Sequence, residues 1–318
     1  MSVSHTQNYP RLSVLTVSLN HAKFLKDTIN SVYDQQYENL EYVLIDGLSS
    51  DGTQDILKTY DDIDWISEPD GGEHGFYSAF VKGLNRISGD YVIQCCVSDG
   101  FLDKNWFRDG VEFLENHPEC SLVWGLEQNL SEDGYLGAVR YSEFFDVLPP
   151  DGERAFFRWL ASGFTFPESN YIVRADVLKK CWPNPESSPE HHKIQPHLGF
   201  IFNFHCANYK SKYIPRVVSW ARVHEDQINV RLRSIGYPAG LKYFKEIKRV
   251  RRGLLLGKST IILIDNSEVN VPVLNFTKKV GLLFGVIYQK MRYSKIIIKP
   301  IRSILIALFR RLKMYNNR

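Results

Sequence analysis

The sequence predicts an α/β fold in which a mostly parallel sheet is flanked by helices and followed by a basic helical C-terminal appendage. Three observations carry this. Short apolar, β-rich runs alternate with segments of helical spacing as far as Gly125, the pattern of strands joined by crossover helices. The runs end in loops rich in acidic and small residues. From Arg231 the composition turns basic: residues 231–318 hold 20 of the 39 Lys and Arg but 3 of the 36 Asp and Glu.

The elements follow in order. Leu12–Ser18 (LSVLTVS) reads as a strand bounded by Asn20, and His21–Gln36 as a helix with Phe24, Ile29 and Val32 on one side. Tyr42–Ile45 is a second strand, Thr53–Tyr60 a short helix and Ile63–Ile66 a third strand. Tyr77–Ile87 places Ala79, Phe80 and Leu84 on one helical face. Tyr91–Cys95 is a fourth strand, followed by a loop over Val97–Asp103, a helix ending at Asn116 and a strand over Ser121–Gly125. Beyond Asp133 the pattern is irregular, with turns at Pro149–Gly152, Pro167 and Pro183–Pro189, as expected of a substrate-specific portion. The division is one domain over 1–230 and a basic amphipathic helical region over 231–318.

Composition bounds the class. With 318 residues, 44% of them hydrophobic and 24% charged, the chain is an ordinary globular protein able to bury a large core. Five cysteines, of which Cys95 and Cys96 are adjacent, have neither metal-ligand nor disulfide-framework spacing, so a reducing, cytoplasmic setting is expected. The opening MSVSHTQNYPR has no hydrophobic run, and no secretory signal is expected.

Chemistry is expected where strands end, because loops at the carboxyl edge of an α/β sheet reach a ligand while the sheet stays rigid. In EYVLIDGLSSDGT, Asp46 ends a strand, Gly47 and Gly52 bend the loop, and Ser49, Ser50, Asp51 and Thr53 offer helix caps. Taken alone, the segment reads equally as a capped turn without a ligand. Two further acidic loops follow, Ser67-Glu68-Pro69-Asp70-Gly71-Gly72 and Val97-Ser98-Asp99-Gly100. Three such loops suit a hydroxyl-rich ligand and a hard divalent cation. Neither GxxxxGK[ST] nor a GxGxxG after the first strand is present, which argues against a P-loop or a dinucleotide fold.

These stretches resemble the family 2 glycosyltransferases of the Rossmann-like GT-A fold. The resemblance runs through SVLTVSLNHAKFLKDTINSVYDQQYENLEYVLIDGLSSDGT, SEPDGG, YSAFVKGLNRISGDYV and SDG, and continues more weakly to about His224. It implies an inverting hexosyl- or N-acetylhexosaminyl-transferase. The sugar would pass from a nucleotide-sugar donor, with UDP expected, to a glycan or lipid-linked acceptor in surface polysaccharide synthesis. In this resemblance Thr16, Val17 and Ser18 contact the nucleoside, with Asn20 and Ser98 beside the donor. Asp46 binds the base, Asp70 borders the nucleotide and Lys82 stands behind it. Asp99 corresponds to the acid of the family's DxD motif that holds Mg2+ or Mn2+ against the diphosphate.

The sequence departs from the family pattern in two places. Gly100 stands where a second acid is usual, leaving one metal carboxylate, and the loop Gly71–Phe76 is longer than usual, with Glu73 and His74 either assisting or solvated. Alignment back from Trp220-Ala221-Arg222-Val223-His224, which resembles a later segment of the family, puts His197 at or beside the family's catalytic carboxylate. Histidine is a credible base, with an ordinary pKa of about 6.5; the competing reading is a structural histidine. Glu168 in Phe166-Pro167-Glu168-Ser169-Asn170 is the rival base or an acceptor-binding carboxylate.

The basic region mixes cations with large aliphatics, as in GLLFGVIYQKMRYSKIIIKPIRSILIALFRRLKMY. Its apolar runs fall short of the roughly 20 residues that span a bilayer. Residues 281–318 are therefore expected to lie on an anionic membrane surface, at the inner face of the cell membrane. The competing readings are packing on the catalytic part or on a second copy in a homo-oligomer. Nucleic acid is not expected, because the cations are too mixed with apolar side chains. Two other functions compete with sugar transfer: a catalytically impaired nucleotide-sugar-binding protein, and a transferase of a phosphate-containing group.

Overall fold

The computed structural model describes residues 9–69, 75–140, 153–163, 166–183, 196–225, 239–263 and 267–293. The first half is a regular βα alternation. It comprises β1 (Leu12–Ser18), α1 (Ala22–Tyr33), β2 (Leu40–Asp46), α2 (Thr53–Leu57), β3 (Ile63–Ser67), α3 (Gly75–Arg86), β4 (Tyr91–Gln94), β5 (Asp99–Phe101) and α4 (Trp106–Asn116). Then come β6 (Leu122–Ser131), β7 (Leu136–Arg140), α5 (Glu153–Ser162), β8 (Tyr171–Arg174), α6 (Ala175–Cys181), α7 (Pro196–Cys206) and β9 (Ser211–Val223). The C-terminal part adds α8 (Ala239–Leu255), the hairpin β10 (Thr260–Ile262) and β11 (Glu268–Asn270), and α9 (Phe276–Tyr293).

One sheet organises the molecule, in the order β3-β2-β1-β4-β8-β6-β9-β5, with β7 paired to β6. Strands β3, β2, β1 and β4 are parallel, so their carboxyl ends share one edge. Beyond β4 the sheet is mixed. Strand β8 runs antiparallel to both β4 and β6, β6 pairs parallel with β9, and β5 pairs antiparallel with β9. The α/β class and the helices on both faces agree with the sequence pattern. The Val97–Asp103 segment, expected as a loop, contains β5, and the irregular portion after Asp133 holds β7, α5, β8 and β9.

Each face of the sheet buries its own cluster. On one side Val14 and Leu44 pack with Phe24, Leu25, Ile29 and Val32 of α1 and with Trp106, Phe107 and Leu114 of α4. On the other, Leu15, Val43 and Ile45 pack with Ala79, Phe80 and Leu84 of α3 and with α7. The odd–even split along β1 and β2 is the two-residue period of a strand covered on both faces. Helix α7 has no polar face: His197 and every residue from Gly199 to Cys206 are buried.

The described part of the basic region is built into the second cluster. Tyr243, Ile247, Val250 and Leu254 form one stripe of α8 and join the same core, as do Ile261, Val271, Leu274 and Leu282. Burying a side chain of this size contributes about 2 kcal/mol. Polar contacts fix the register: Trp159 Nε1 donates to the Tyr243 hydroxyl at 2.9 Å, which donates to the Gly163 carbonyl at 3.0 Å. Arg251 donates to the Leu160 carbonyl at 3.0 Å. Helix α9 packs on α5. Among the described residues no helix is long and apolar enough to cross a membrane.

Candidate active site

The carboxyl edge of the parallel strands begins with Asp46, which ends β2 and is fully buried. Its carboxylate accepts from the Ser49 backbone N–H at 2.9 Å, the Ser49 hydroxyl and the Ser67 hydroxyl at 2.7 Å. A buried carboxylate requires such donors. Here they come from its own loop and from β3, so Asp46 shapes the β2–α2 turn as well as facing the edge. Asp51 joins two helices: it accepts from the N–H of Ala22 at 2.9 Å, opening α1, and from the N–H of Thr53 at 3.1 Å, opening α2. Leu48 stands in the left-handed region at φ 65 and is exposed, an apolar side chain held out at the loop tip.

Across from this loop, Asn20 accepts from the Ser50 N–H at 2.9 Å, and its own N–H donates to Ser49 Oγ at 2.8 Å. Asn20 thus joins the β1–α1 loop to the β2–α2 loop. Thr16 lies on β1, two residues before Ser18 at the strand end. It is fully buried, with its hydroxyl donating to the Cys95 carbonyl at 2.8 Å and lying 3.2 Å from the Tyr42 hydroxyl. Val17 is half-buried on the α3 face, and the Ser18 hydroxyl is buried without a hydrogen-bond partner. Lys82 of α3 pairs with Glu68 at 2.6 Å at the end of β3. Asp70, Glu73 and His74 lie outside the described residues.

Asp99 opens β5 beyond the end of β4. Its side chain accepts from the Ser169 hydroxyl at 3.0 Å, and its carbonyl accepts from the Thr28 hydroxyl at 2.8 Å. Ser98 precedes it at φ 79, with its N–H donating to Thr28 Oγ1 at 3.1 Å and its hydroxyl 3.1 Å from His224 Nε2. Burial holds the Asp99 carboxyl well above the usual carboxylate range, reinforced by the charge of Glu127 and then Glu168, while Ser169 and Arg140 oppose the shift. A divalent cation bound here would favour the ionised form of Asp99 against both its burial and the neighbouring carboxylates. Among the described residues no group of three acidic, His or Cys side chains is arranged to hold an ion.

Glu168 precedes β8, half-buried beside this site, with Gln94 Nε2 3.5 Å from Oε1. Burial pushes its pKa up to about 7, against the Gln94 hydrogen bond and with the charge of Glu127 adding to the rise. His197 lies at the start of α7, buried, with its ring stacked on Tyr171 at 5.8 Å. Burial pushes its pKa down to about 3. The two candidate bases therefore differ: Glu168 changes charge near neutrality and His197 stays uncharged.

A model of the family described as glycosyl transferase family 2 matches residues 13–182, more than half of the chain. The chain belongs to glycosyl transferase family 2. It is similar to the putative teichuronic acid biosynthesis glycosyltransferase TuaG of Bacillus subtilis, with 35% identity over 111 residues, 32% of this chain and 40% of TuaG. Similarity to the poly-beta-1,6-N-acetyl-D-glucosamine synthase of Staphylococcus aureus is 24% over 219 residues, 67% of this chain and 50% of the synthase. The matches thus span about half the length of these curated relatives or less. Among solved structures, S. aureus TarS 1-349 in complex with UDP-GlcNAc has a TM-score of 0.54 at 16% identity, covering 89% of this chain and 73% of that one. The mannosyltransferase PcManGT from Pyrobaculum calidifontis, in complex with GDP-Man and Mn2+, has a TM-score of 0.53 at 16% identity, covering 98% and 84%. At these identities the likeness defines the fold.

The departure of this family 2 chain at Gly100 has a steric cause. A Cβ there would collide with the Trp220 ring and the Ser31 hydroxyl, because β5 lies against β9 at this point. A second acid has no room. Two residues of the site were missed from sequence: Glu127 on β6, which is buried, and Arg140 on β7, which pairs with it. Their partnership depends on the β6–β7 hairpin. A turn at Asp133-Gly134, with Gly134 at φ 87, was the available signal. Arg222, buried on β9, donates to Asp27 of α1 at 2.6 Å and to the Glu132 carbonyl at 3.2 Å, tying the end of β9 to the same edge.

Proposed function

We propose that the chain is an inverting glycosyltransferase that transfers a sugar from a nucleotide-sugar, with UDP as the nucleotide, to a hydroxyl of a glycan or lipid-linked acceptor. The observation that carries this reading is the placement of Asp46, Asp99 and Glu168 along one sheet edge in a family 2 chain. The names of the relatives point to surface polysaccharide synthesis as the setting.

The nucleoside lies against the β1–α1 and β2–α2 loops. Asp46, with lone-pair capacity beyond the three donors of its own loop, accepts from the base. Val17, Ser18 and Asn20 border it, with Ser98 toward the diphosphate. Lys82 stands on the β3 side. Asp99 holds Mg2+ or Mn2+, which when bound offsets charge on the diphosphate. Glu168, in its carboxylate form, takes the proton of the acceptor hydroxyl. The acceptor oxygen then bonds to the anomeric carbon as the bond to the diphosphate oxygen breaks, with inversion, and the nucleoside diphosphate leaves with the electron pair. Glu168 is favoured over His197 because its pKa near 7 matches proton transfer at neutral pH.

The protein works at the inner face of the cell membrane, with 281–318 on anionic lipid. Phe276, Leu283 and Ile287 support this, since they are exposed along one side of α9. Residues 294–318 lie outside the described part. Flotation with anionic liposomes tests it: binding that survives removal of 281–318 contradicts it. The transfer itself is tested by supplying a panel of UDP- and GDP-sugars with glycan acceptors and assigning the anomeric configuration of the product by NMR. A product of inverted configuration is expected. Retention, or nucleotide-sugar binding without turnover across the panel, counts against the proposal.

A further inference from the structure

Beside the carboxylates of the edge lies a group of neutral polar side chains that the transfer chemistry does not use. Strand β8 pairs with β4 through Ile93 and Ile172, and with β6 through Trp124 and Tyr171. One step beyond the Ile93–Ile172 pair, Gln94 and Tyr171 become lateral neighbours at the carboxyl end of β4. Both are buried, at 3% and 1% exposure, and His197 on α7 is buried at 5%. Each has a polar atom with no hydrogen-bond partner: Gln94 Oε1, the Tyr171 hydroxyl and His197 Nδ1. A buried polar atom without a partner is costly. Three of them on touching or adjacent side chains, at the edge where the family's ligands sit, point to a group that satisfies them.

The three are held in place. The Tyr171 ring packs against His197 at 5.8 Å and Phe200 at 5.6 Å, each within 20° of parallel; the two lie 6.5 Å apart on one side of α7, and this contact holds the plane of the tyrosine ring. The Gln94 amide nitrogen lies 3.4 Å from Cys96 Sγ and 3.5 Å from Glu168 Oε1, which leaves its carbonyl oxygen for another donor. Burial keeps His197 uncharged. A cluster with no net charge, offering an acceptor, a hydroxyl and a neutral imidazole, does not suit a diphosphate or a metal ion. It suits the hydroxyl or acetamido groups of a pyranose, and the Gln94–Glu168 contact places it next to the proposed base.

We infer that Gln94, Tyr171 and His197 form a sugar-recognition subsite that reads neutral hydroxyl or acetamido groups of a pyranose. The inference rests on the glycosyltransferase reading and gives His197 a role in binding instead of proton transfer. The sugar is either the one carried by the donor or the terminal one of the acceptor; the chemistry is the same.

The test compares the full chain with Tyr171→Phe and His197→Phe by titration calorimetry, using UDP, GDP, UDP-Glc, UDP-Gal, UDP-GlcNAc and GDP-Man, together with acceptor kinetics. Tyr171→Phe removes one oxygen and keeps the stacked ring, so folding is retained. If the subsite holds the donor sugar, each variant binds the preferred nucleotide-sugar about tenfold more weakly and the free nucleotide unchanged. If it holds the acceptor sugar, donor binding is unchanged and the acceptor KM rises about tenfold. Variants that match wild type in both, with equal or higher melting temperature, overturn the subsite and mark the three atoms as holding internal water only. A wild-type chain that binds no nucleotide and no nucleotide-sugar overturns the donor reading and this inference with it.

Discussion

The Ser169 hydroxyl donates to Asp99 at 3.0 Å, so the residue next to Glu168 is anchored on the proposed metal carboxylate. This contact ties the segment entering β8 to the start of β5, 70 residues apart in sequence. It also places the candidate base and the candidate metal ligand in one electrostatic unit, in which Glu127 contributes to the raised pKa of both.

From that unit follows a pH profile. Glu168 acts as a base only when deprotonated, and its pKa is about 7. The value of kcat/KM is therefore expected to rise with pH through about 7 and level above it. Glu168→Gln should lower kcat by about 10²–10⁴ with circular dichroism unchanged. If His197, at about 3, were the base, the rate would be flat across the neutral range.

Asp46 has both a structural and a ligand role, and two substitutions separate them. Asp46→Ala leaves the Ser49 N–H and the Ser49 and Ser67 hydroxyls without their acceptor, and should cost about 2–4 kcal/mol in urea unfolding. Asp46→Asn keeps the shape and an acceptor oxygen. It should lose less stability yet bind the nucleotide more weakly by calorimetry.

Restoring the family's second acid should not restore a second metal ligand. Gly100→Asp forces a side chain into Trp220 and Ser31, and overpacking of this kind costs about 1–3 kcal/mol. Urea melts should show the loss, and Mn2+ titration should show no gain in affinity over wild type.

The C-terminal helices are expected to stabilise the catalytic part. Tyr243→Phe leaves Trp159 Nε1 and the Gly163 carbonyl without their shared hydroxyl and should cost about 1–3 kcal/mol, visible as a lower thermal midpoint. An unchanged midpoint would mean that α8 is only loosely attached.

Where the sequence was legible, the physics is local. Helix α1 shows itself because Phe24, Ile29 and Val32 repeat on one face, and Asp46 because a buried strand stops at a Gly and Ser loop. Helix α7 has no polar face to set its period, so its FIFNF run could not be told from a strand by periodicity. Strands β5 and β8 are too short to stand out, at three and four residues. Glu127 and Arg140 are 13 residues apart, and their pairing follows from a hairpin register that no spacing rule supplies. The low pKa of His197 depends on burial beside Tyr171 and Phe166, which lie elsewhere in the chain and which no local pattern around His197 reveals.

The most direct test is thermal unfolding of the wild-type chain and Asp99→Asn with a nucleotide-sugar panel, with and without Mg2+ or Mn2+. Ligand binding raises the midpoint by mass action, so affinity and cation dependence are read together. The account predicts that at least one nucleotide-sugar raises the wild-type midpoint, more so with the cation, and that Asp99→Asn loses the cation-dependent part. No shift with any nucleotide-sugar, or an Asp99→Asn response equal to wild type, would contradict it.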